Sequence, residues 1–192
     1  MKAILIPVLA LLICSIVPVR ADDYAPQGGS GDRQDDDRCP DGSYLAGVNY
    51  RSGNFMDRIQ VVCARMDKLG NTKTPFEPYS SRGGTGGGDG RAVCPQNKVV
   101  GGIYFTMTPN NQVRHIKLYC TTRAMDEGSE LDVGGEDRGS HILQSCGPME
   151  KREVATGMTI NSGRHVNALG LMCGALPAAA AAPMASPQTK VY

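Results

Sequence analysis

Residues 47–63, GVNYRSGNFMDRIQVVC, are written a second time as residues 157–173, GMTINSGRHVNALGLMC. Both copies open on glycine, carry Ser-Gly at the sixth and seventh positions, Asp57 or Asn167 at the eleventh, Ile59 or Leu169 at the thirteenth, and close on cysteine. A third stretch, residues 102–120, GIYFTMTPNNQVRHIKLYC, keeps both ends and the apolar alternation but has two extra residues where Thr108 to Asn111 replace Ser-Gly. The chain is built on a threefold internal repeat, and its fold follows from what one unit does.

Within the unit, apolar residues alternate over 43–51 and again over 56–63. That is the period of two half-buried strands, joined here by a tight turn at Ser52-Gly53-Asn54. Each unit is therefore a β-hairpin. Ile59, Val61 and Cys63 share one face of the second strand, and the same phase recurs at Ile116, Leu118 and Cys120 and at Leu169, Leu171 and Cys173. The first strands add Val48 and Tyr50, Ile103 and Phe105, and Met158 and Ile160. Three equivalent apolar faces can be buried only against one another, so an all-β domain around a pseudo-threefold axis is expected.

Residues 1–21 read as an export signal: Lys2, an apolar run from Ala3 to Val17, the breaker Pro18, and Ala21 as the small residue before the cut. The run is too short for a membrane span, and the bulky Ile13 argues against a lipoprotein box at Cys14. Of the 20 lysines and arginines, Lys2 and Arg20 leave with the signal, so 18 basic face 19 acidic residues in the mature chain. That balance, with no basic stripe, points away from nucleic acid, and no membrane insertion is expected after cleavage. The protein is expected to be secreted, to the extracellular space or a periplasm.

Six cysteines remain after the signal: Cys39, Cys63, Cys94, Cys120, Cys146 and Cys173. An even number in an exported chain signals disulfides. Fifteen pairings are open in principle, but each repeat opens on one cysteine and closes on another, which selects Cys39 with Cys63, Cys94 with Cys120 and Cys146 with Cys173. Each bridge closes a loop of about 25 residues, worth roughly 3 kcal/mol on the chain-entropy account. No CxxC spacing suggests a metal site, and no cofactor is expected.

The repeats span about 39–65, 94–123 and 146–173 of a domain covering 39–176. Glycine-rich segments join them, with Gly83, Gly84, Gly86, Gly87 and Gly88 in the first and Gly134-Gly135 in the second. Whether these segments supply outer strands is left open by their weak pattern. Residues 22–38, with Gly28-Gly29 and the run Asp35-Asp36-Asp37, read as a flexible, solvated leader, and residues 177–192 as a disordered Ala/Pro tail.

The stretch CPDGSYLAGVNYRSGNFMDRIQVVCARMDKLGNT, residues 39–72, resembles a repeat of the vitelline membrane outer layer protein family. The resemblance implies a β-prism, three Greek-key sheets about a pseudo-threefold axis, an architecture shared with jacalin-related lectins. The chain departs from that family in having no tryptophan and a compact turn. In this it is more similar to the lectins, whose sugar loop reads GxxxD. Gly53-Asn54-Phe55-Met56-Asp57 matches, residues 163–167 match with Asn167 for the aspartate, and residues 110–114 do not.

By that analogy Asp57 would pair with Gly83, Gly84, Gly86 and Gly87, and Asn167 with Gly28-Gly29. The chemistry suits a saccharide: a carboxylate accepts from a pair of hydroxyls, and glycine lets backbone N–H groups approach the ring. Asp57 and Asn167 also have a plainer role, since both residue types readily brace turns. Enzymatic readings find little. His115, His141 and His165 fall at non-equivalent repeat positions, and no GxSxG, HExxH or P-loop is present. A pair of carboxylates for glycoside cleavage, drawn from Asp89, Glu127, Asp132 and others, is the one catalytic route left open. The expected function is non-catalytic glycan binding, and the alternative is a structural coat or protein-interaction module at an extracellular surface.

Overall fold

In the computed structural model of the chain, residues 23–147 and 152–176 are described. The expected signal peptide (1–21) and tail (177–192) lie outside them. The described residues form strands and no helix: β1 Gln27–Gly28, β2 Arg33–Arg38, β3 Ser43–Ser52, β4 Met56–Arg65, β5 Arg82–Gly83, β6 Gly88–Val93, β7 Lys98–Met107, β8 Val113–Thr122, β9 Gly128–Gly135, β10 Ser140–Ser145, β11 Glu153–Ser162 and β12 Val166–Ala175. No helix among them is long and apolar enough to cross a membrane.

Each expected hairpin forms: β3 with β4, β7 with β8, and β11 with β12, all antiparallel. The hairpins are the central pairs of three four-stranded sheets, ordered β5-β4-β3-β6, β10-β7-β8-β9 and β1-β12-β11-β2. The glycine-rich segments thus supply outer strands, and the order in each sheet is a Greek key. The leader is corrected by this topology. Residues 33–38 pair with β11 and residues 27–28 with β12, so the N-terminal segment completes the sheet of the last hairpin.

The acidic run sits in β2 for a physical reason. Asp37 is buried and takes a bidentate bond from Arg82, 3.0 Å to Nε and 2.6 Å to Nη2, while Asp36 accepts from Thr159 Oγ1 at 2.7 Å. A charge-run reading treats these carboxylates as solvated. In the fold their partners arrive from β5 and β11.

Apolar faces of all three sheets meet in one core. Val48, Ile59, Val61, Ile103, Phe105, Ile116, Leu118, Met158, Ile160, Leu169 and Leu171 are fully buried there, with Tyr50 packed at its edge. A second cluster, Tyr44, Met66, Val99, Val154 and Leu176, gathers residues from strand starts and ends. The three bridges are Cys39–Cys63, Cys94–Cys120 and Cys146–Cys173, each within its repeat.

The glycine that opens each repeat now has a cause. A bulge interrupts the hairpin register just before Gly47, Gly102 and Gly157. The outer strand presses close at that point: a Cβ on Gly47 would lie 2.1 Å from the Ala92 carbonyl oxygen, and one on Gly157 2.4 Å from that of Asp37. Any side chain there would force β6 or β2 away from its partner.

Candidate functional site

The hairpin turns are short and meet one another at their tips. Gly53 N–H donates to the Phe55 carbonyl and Gly163 N–H to the His165 carbonyl, both at 3.0 Å, so the first and third turns share one conformation. Arg114, at the start of β8, donates from Nε to the Asn54 carbonyl at 3.3 Å and lies over the Phe55 ring, 5.7 Å from its centroid. His165, from the third turn, packs against Phe55 at 5.5 Å between centroids. Its Nδ1 is 2.8 Å from Asp57 Oδ1. All three repeats therefore contribute to the surroundings of Asp57.

The glycine loop between β5 and β6 completes this region. Gly83 crosses the Asp57 backbone at φ +109°, where a Cβ would lie 2.2 Å from the Asp57 carbonyl oxygen. Gly84 N–H donates to that same oxygen at 2.8 Å. A Cβ on Gly86 would stand 2.6 Å from Asp57 Oδ1, and one on Gly87 2.6 Å from Oδ2. The carboxylate is thus laid against bare backbone. Among the described residues, the Gly86 and Gly87 amides donate to no protein acceptor.

What fixes the loop lies behind it. Arg51 donates from Nε to the Gly86 carbonyl and from Nη2 to the Gly87 carbonyl, both at 2.8 Å, and Arg58 Nε donates to the Gly84 carbonyl at 2.7 Å. In a trans peptide the N–H points opposite its carbonyl. Holding the Gly86 carbonyl on the guanidinium side therefore turns the Gly87 amide to the other side.

Solved structures similar to this one include plant lectins. Malaysian banana lectin matches with 12% identity and a TM-score of 0.59, over 81% of this chain and 99% of that one. A mannose-binding jacalin-related lectin from Ananas comosus matches with 14% identity and a TM-score of 0.58, over 81% and 99%. Calystegia sepium agglutinin does so with 17% identity and a TM-score of 0.58, over 83% and 99%. The fold is that of the jacalin-related lectins. No protein-family model and no curated protein matches the sequence.

On this lectin-type β-prism the expected residues fall into three groups. Gly83, Gly84, Gly86, Gly87 and Asp57 are brought together, with Gly53 nearby, since its Cβ position is 3.8 Å from the Gly87 Cα. Asn54 and Phe55 are at the tip and are held by Arg114. Met56 is fully buried in the core and leaves the candidate set, because it begins β4 with its side chain inward. Asn167 does meet the leader: its carbonyl accepts from Gly29 N–H at 3.0 Å and its Nδ2 donates to the Ser30 carbonyl at 3.0 Å.

The sequence reading missed His165, Arg51 and Arg58. His165 stands inside the third copy of the GxxxD pattern, which is the signal that could have marked it. Nothing in a linear pattern marks the two arginines, because their partners are backbone carbonyls some thirty residues on. Each carboxylate named for glycoside cleavage faces a basic side chain. Asp89 is engaged by Arg51, Glu127 by Lys98 and Asp132 by His115. Among the described residues no group of three His, Cys, Asp or Glu side chains is arranged to hold a metal ion.

Proposed function

We propose that the chain is a secreted, non-catalytic carbohydrate-binding protein whose principal site is the Asp57 carboxylate with the Gly83–Gly87 loop. The observation that carries this reading is the contact of Asp57 with Gly86 and Gly87, beside two amides that have no protein acceptor. A pyranose hydroxyl pair needs an acceptor and a donor a few ångströms apart, and this arrangement offers both. The likeness in fold to a mannose-binding lectin and the three disulfides, which suit an oxidising compartment, support the same reading. Asn167 with Gly28-Gly29 is a second, weaker site, since an amide replaces the carboxylate.

One observation favours the coat or protein-interaction reading instead. Asp57 Oδ1 already has a partner in His165, and Asn167 Nδ2 already has one in Ser30. The resemblance of residues 39–72 to vitelline membrane outer layer repeats points the same way. A glycan array probed with wild type and Asp57→Ala separates the two. Saccharide binding should be present in the wild type and reduced at least tenfold in the variant, with near-ultraviolet circular dichroism unchanged. A folded wild type that retains no glycan supports the coat reading and ends the lectin one.

A further inference from the structure

Behind the glycine loop, on the outer face of the first sheet, lies a hollow of about 280 Å³ lined by Asn49, Arg51, Arg58, Gln60, Ser81 and Asp89, among others. Most of its polar groups are already satisfied. Asn49 and Gln60 bond each other at 2.9 Å, Asn49 Oδ1 accepts from Arg91, and Gln60 Nε2 donates to the Tyr79 carbonyl. Each nitrogen of Arg51 has a partner, in the carbonyls of Gly86 and Gly87 and in Asp89 at 3.1 Å. Arg58 is different. Its Nε is fixed on the Gly84 carbonyl, while among the described residues Nη1 and Nη2 have neither a hydrogen-bond nor an ion-pair partner.

The geometry points to a carboxylate-binding subsite at Arg58, which takes the acid group of a hexuronate and adjoins the neutral-sugar site at Asp57. A guanidinium whose Nε is anchored presents its two terminal nitrogens as a pre-oriented fork, the arrangement that suits a carboxylate bidentately and that a lysine cannot reproduce. The hollow is polar and of monosaccharide scale, and the Ser81 hydroxyl on its wall also has no protein partner among the described residues. Asp57 and Arg58 are consecutive in β4, at the irregularity where Arg51 pairs with Arg58 and Ser52 with Met56. The glycine loop passes between them, bonded through Gly84 N–H to the Asp57 carbonyl and through the Gly84 carbonyl to Arg58.

The feature belongs to the first repeat alone. The positions equivalent to Arg58 are His115 and Ala168, as the pairing of residues 58, 115 and 168 with Gly83, Gly135 and Gly28 shows. The inference rests on the lectin reading of the loop for the neighbouring neutral residue. The carboxylate contact itself does not depend on Asp57.

Isothermal titration with methyl glucuronide and methyl glucoside tests it on wild type, Arg58→Gln, Arg58→Lys and Asp57→Ala. The wild type should bind the glucuronide at least tenfold more tightly than the glucoside, with the preference falling as salt is raised. Arg58→Gln should erase that preference and keep the weaker glucoside binding, which also shows the loop to be intact. Arg58→Lys should retain only part of the preference, and Asp57→Ala should lower affinity for the glucoside while leaving glucuronide binding in place. A wild type with no preference for the acid sugar overturns the inference and leaves the Asp57 site standing. Loss of both sugars in Arg58→Gln overturns it too, making Arg58 a loop anchor only. If neither sugar binds the wild type, both the subsite and the lectin reading fall.

Discussion

In the first repeat Gly83 passes the Asp57 carbonyl at φ +109°, and in the second Gly135 passes the Arg114 carbonyl at φ +91°, with hypothetical Cβ atoms 2.2 and 1.8 Å from those oxygens. The backbones are the same and the anchors are not. The first loop is entered through Arg82, whose guanidinium is bound by Asp37 and lies 3.4 Å from Asp35, at side-chain exposures of 11% for Arg82 and 2% for Asp37. Asp37 raises the Arg82 pKa further, so the pair is ionised on that side at any ordinary pH. The corresponding entry to the second loop is Gly134, and its hold comes from residues on either side of it, from Asp132 on His115 and from Asp137 on Tyr104 and Lys117. Those carboxylates are 62% and 42% exposed. The first loop is clamped from inside and the second is clasped from outside. A rigid loop is what a pre-formed ligand site requires, and the buried clamp is on the repeat that carries Asp57.

The comparison is broken most directly at the buried pair. Removing one partner of a buried ion pair strands the other charge, at a cost of about 3–5 kcal/mol. Asp37→Ala should therefore lower the denaturant midpoint strongly and raise hydrogen exchange across residues 82–88. Asp137→Asn, which alters the exposed clasp, should leave global stability close to wild type and loosen only residues 134–139. Equal losses in the two variants would contradict the distinction between clamp and clasp.

The clasp should also be visible as a titration. Burial, then the bond to Asp137, pushes the Tyr104 hydroxyl up to about 12. A group raised on folding stabilises the fold fully below its unfolded value, about 10 for tyrosine, and loses that contribution as pH climbs through the folded value. Tyr104 O–H in turn holds the Asp137 carboxyl below the ordinary carboxylate range. That contribution is complete above about pH 4 and is lost as pH falls through the lowered folded value. Ultraviolet difference titration should show one tyrosine ionising near 12 in the wild type and earlier in Asp137→Asn. A variant titration superimposable on wild type would mean that Asp137 does not hold the phenol.

Much of this architecture could be read in the linear chain because a β-hairpin states its own periodicity. Ile59, Val61, Ile116, Leu118, Leu169 and Leu171 alternate with polar neighbours, and the cysteines mark the ends of each unit, so the core and all three bridges were legible. The outer strands were not. β1 and β5 are two residues long, too short for any alternation, and β2 reads Arg-Gln-Asp-Asp-Asp-Arg, which by composition is a solvated run. Asp37 is tolerable in a sheet only because Arg82 comes to it from 45 residues away. At the candidate site, pairing Asp57 with the glycine loop followed from the repeat and the lectin resemblance. The His165 contact did not, since it joins residues 108 apart on different hairpins.

The smallest effect concerns Arg114, the residue that replaces the Asp57-type side chain in the second repeat. It reaches the first turn, over Phe55 and on the Asn54 carbonyl, while its Nη2 lies 3.5 Å from Glu136 of its own loop. A half-exposed ion pair contributes about 0–1 kcal/mol and a cation over an exposed ring about 0.5–1 kcal/mol. Arg114→Ala should therefore cost about 1 kcal/mol in chemical denaturation, well below Asp37→Ala. Because Arg114 touches Phe55 and Asn54 rather than Asp57, it should loosen the first turn in hydrogen exchange while the Gly83–Gly87 loop keeps its protection. If that loop loosened as well, the turn and the loop would be one cooperative unit, and Arg82 with Asp37 would no longer account for its rigidity.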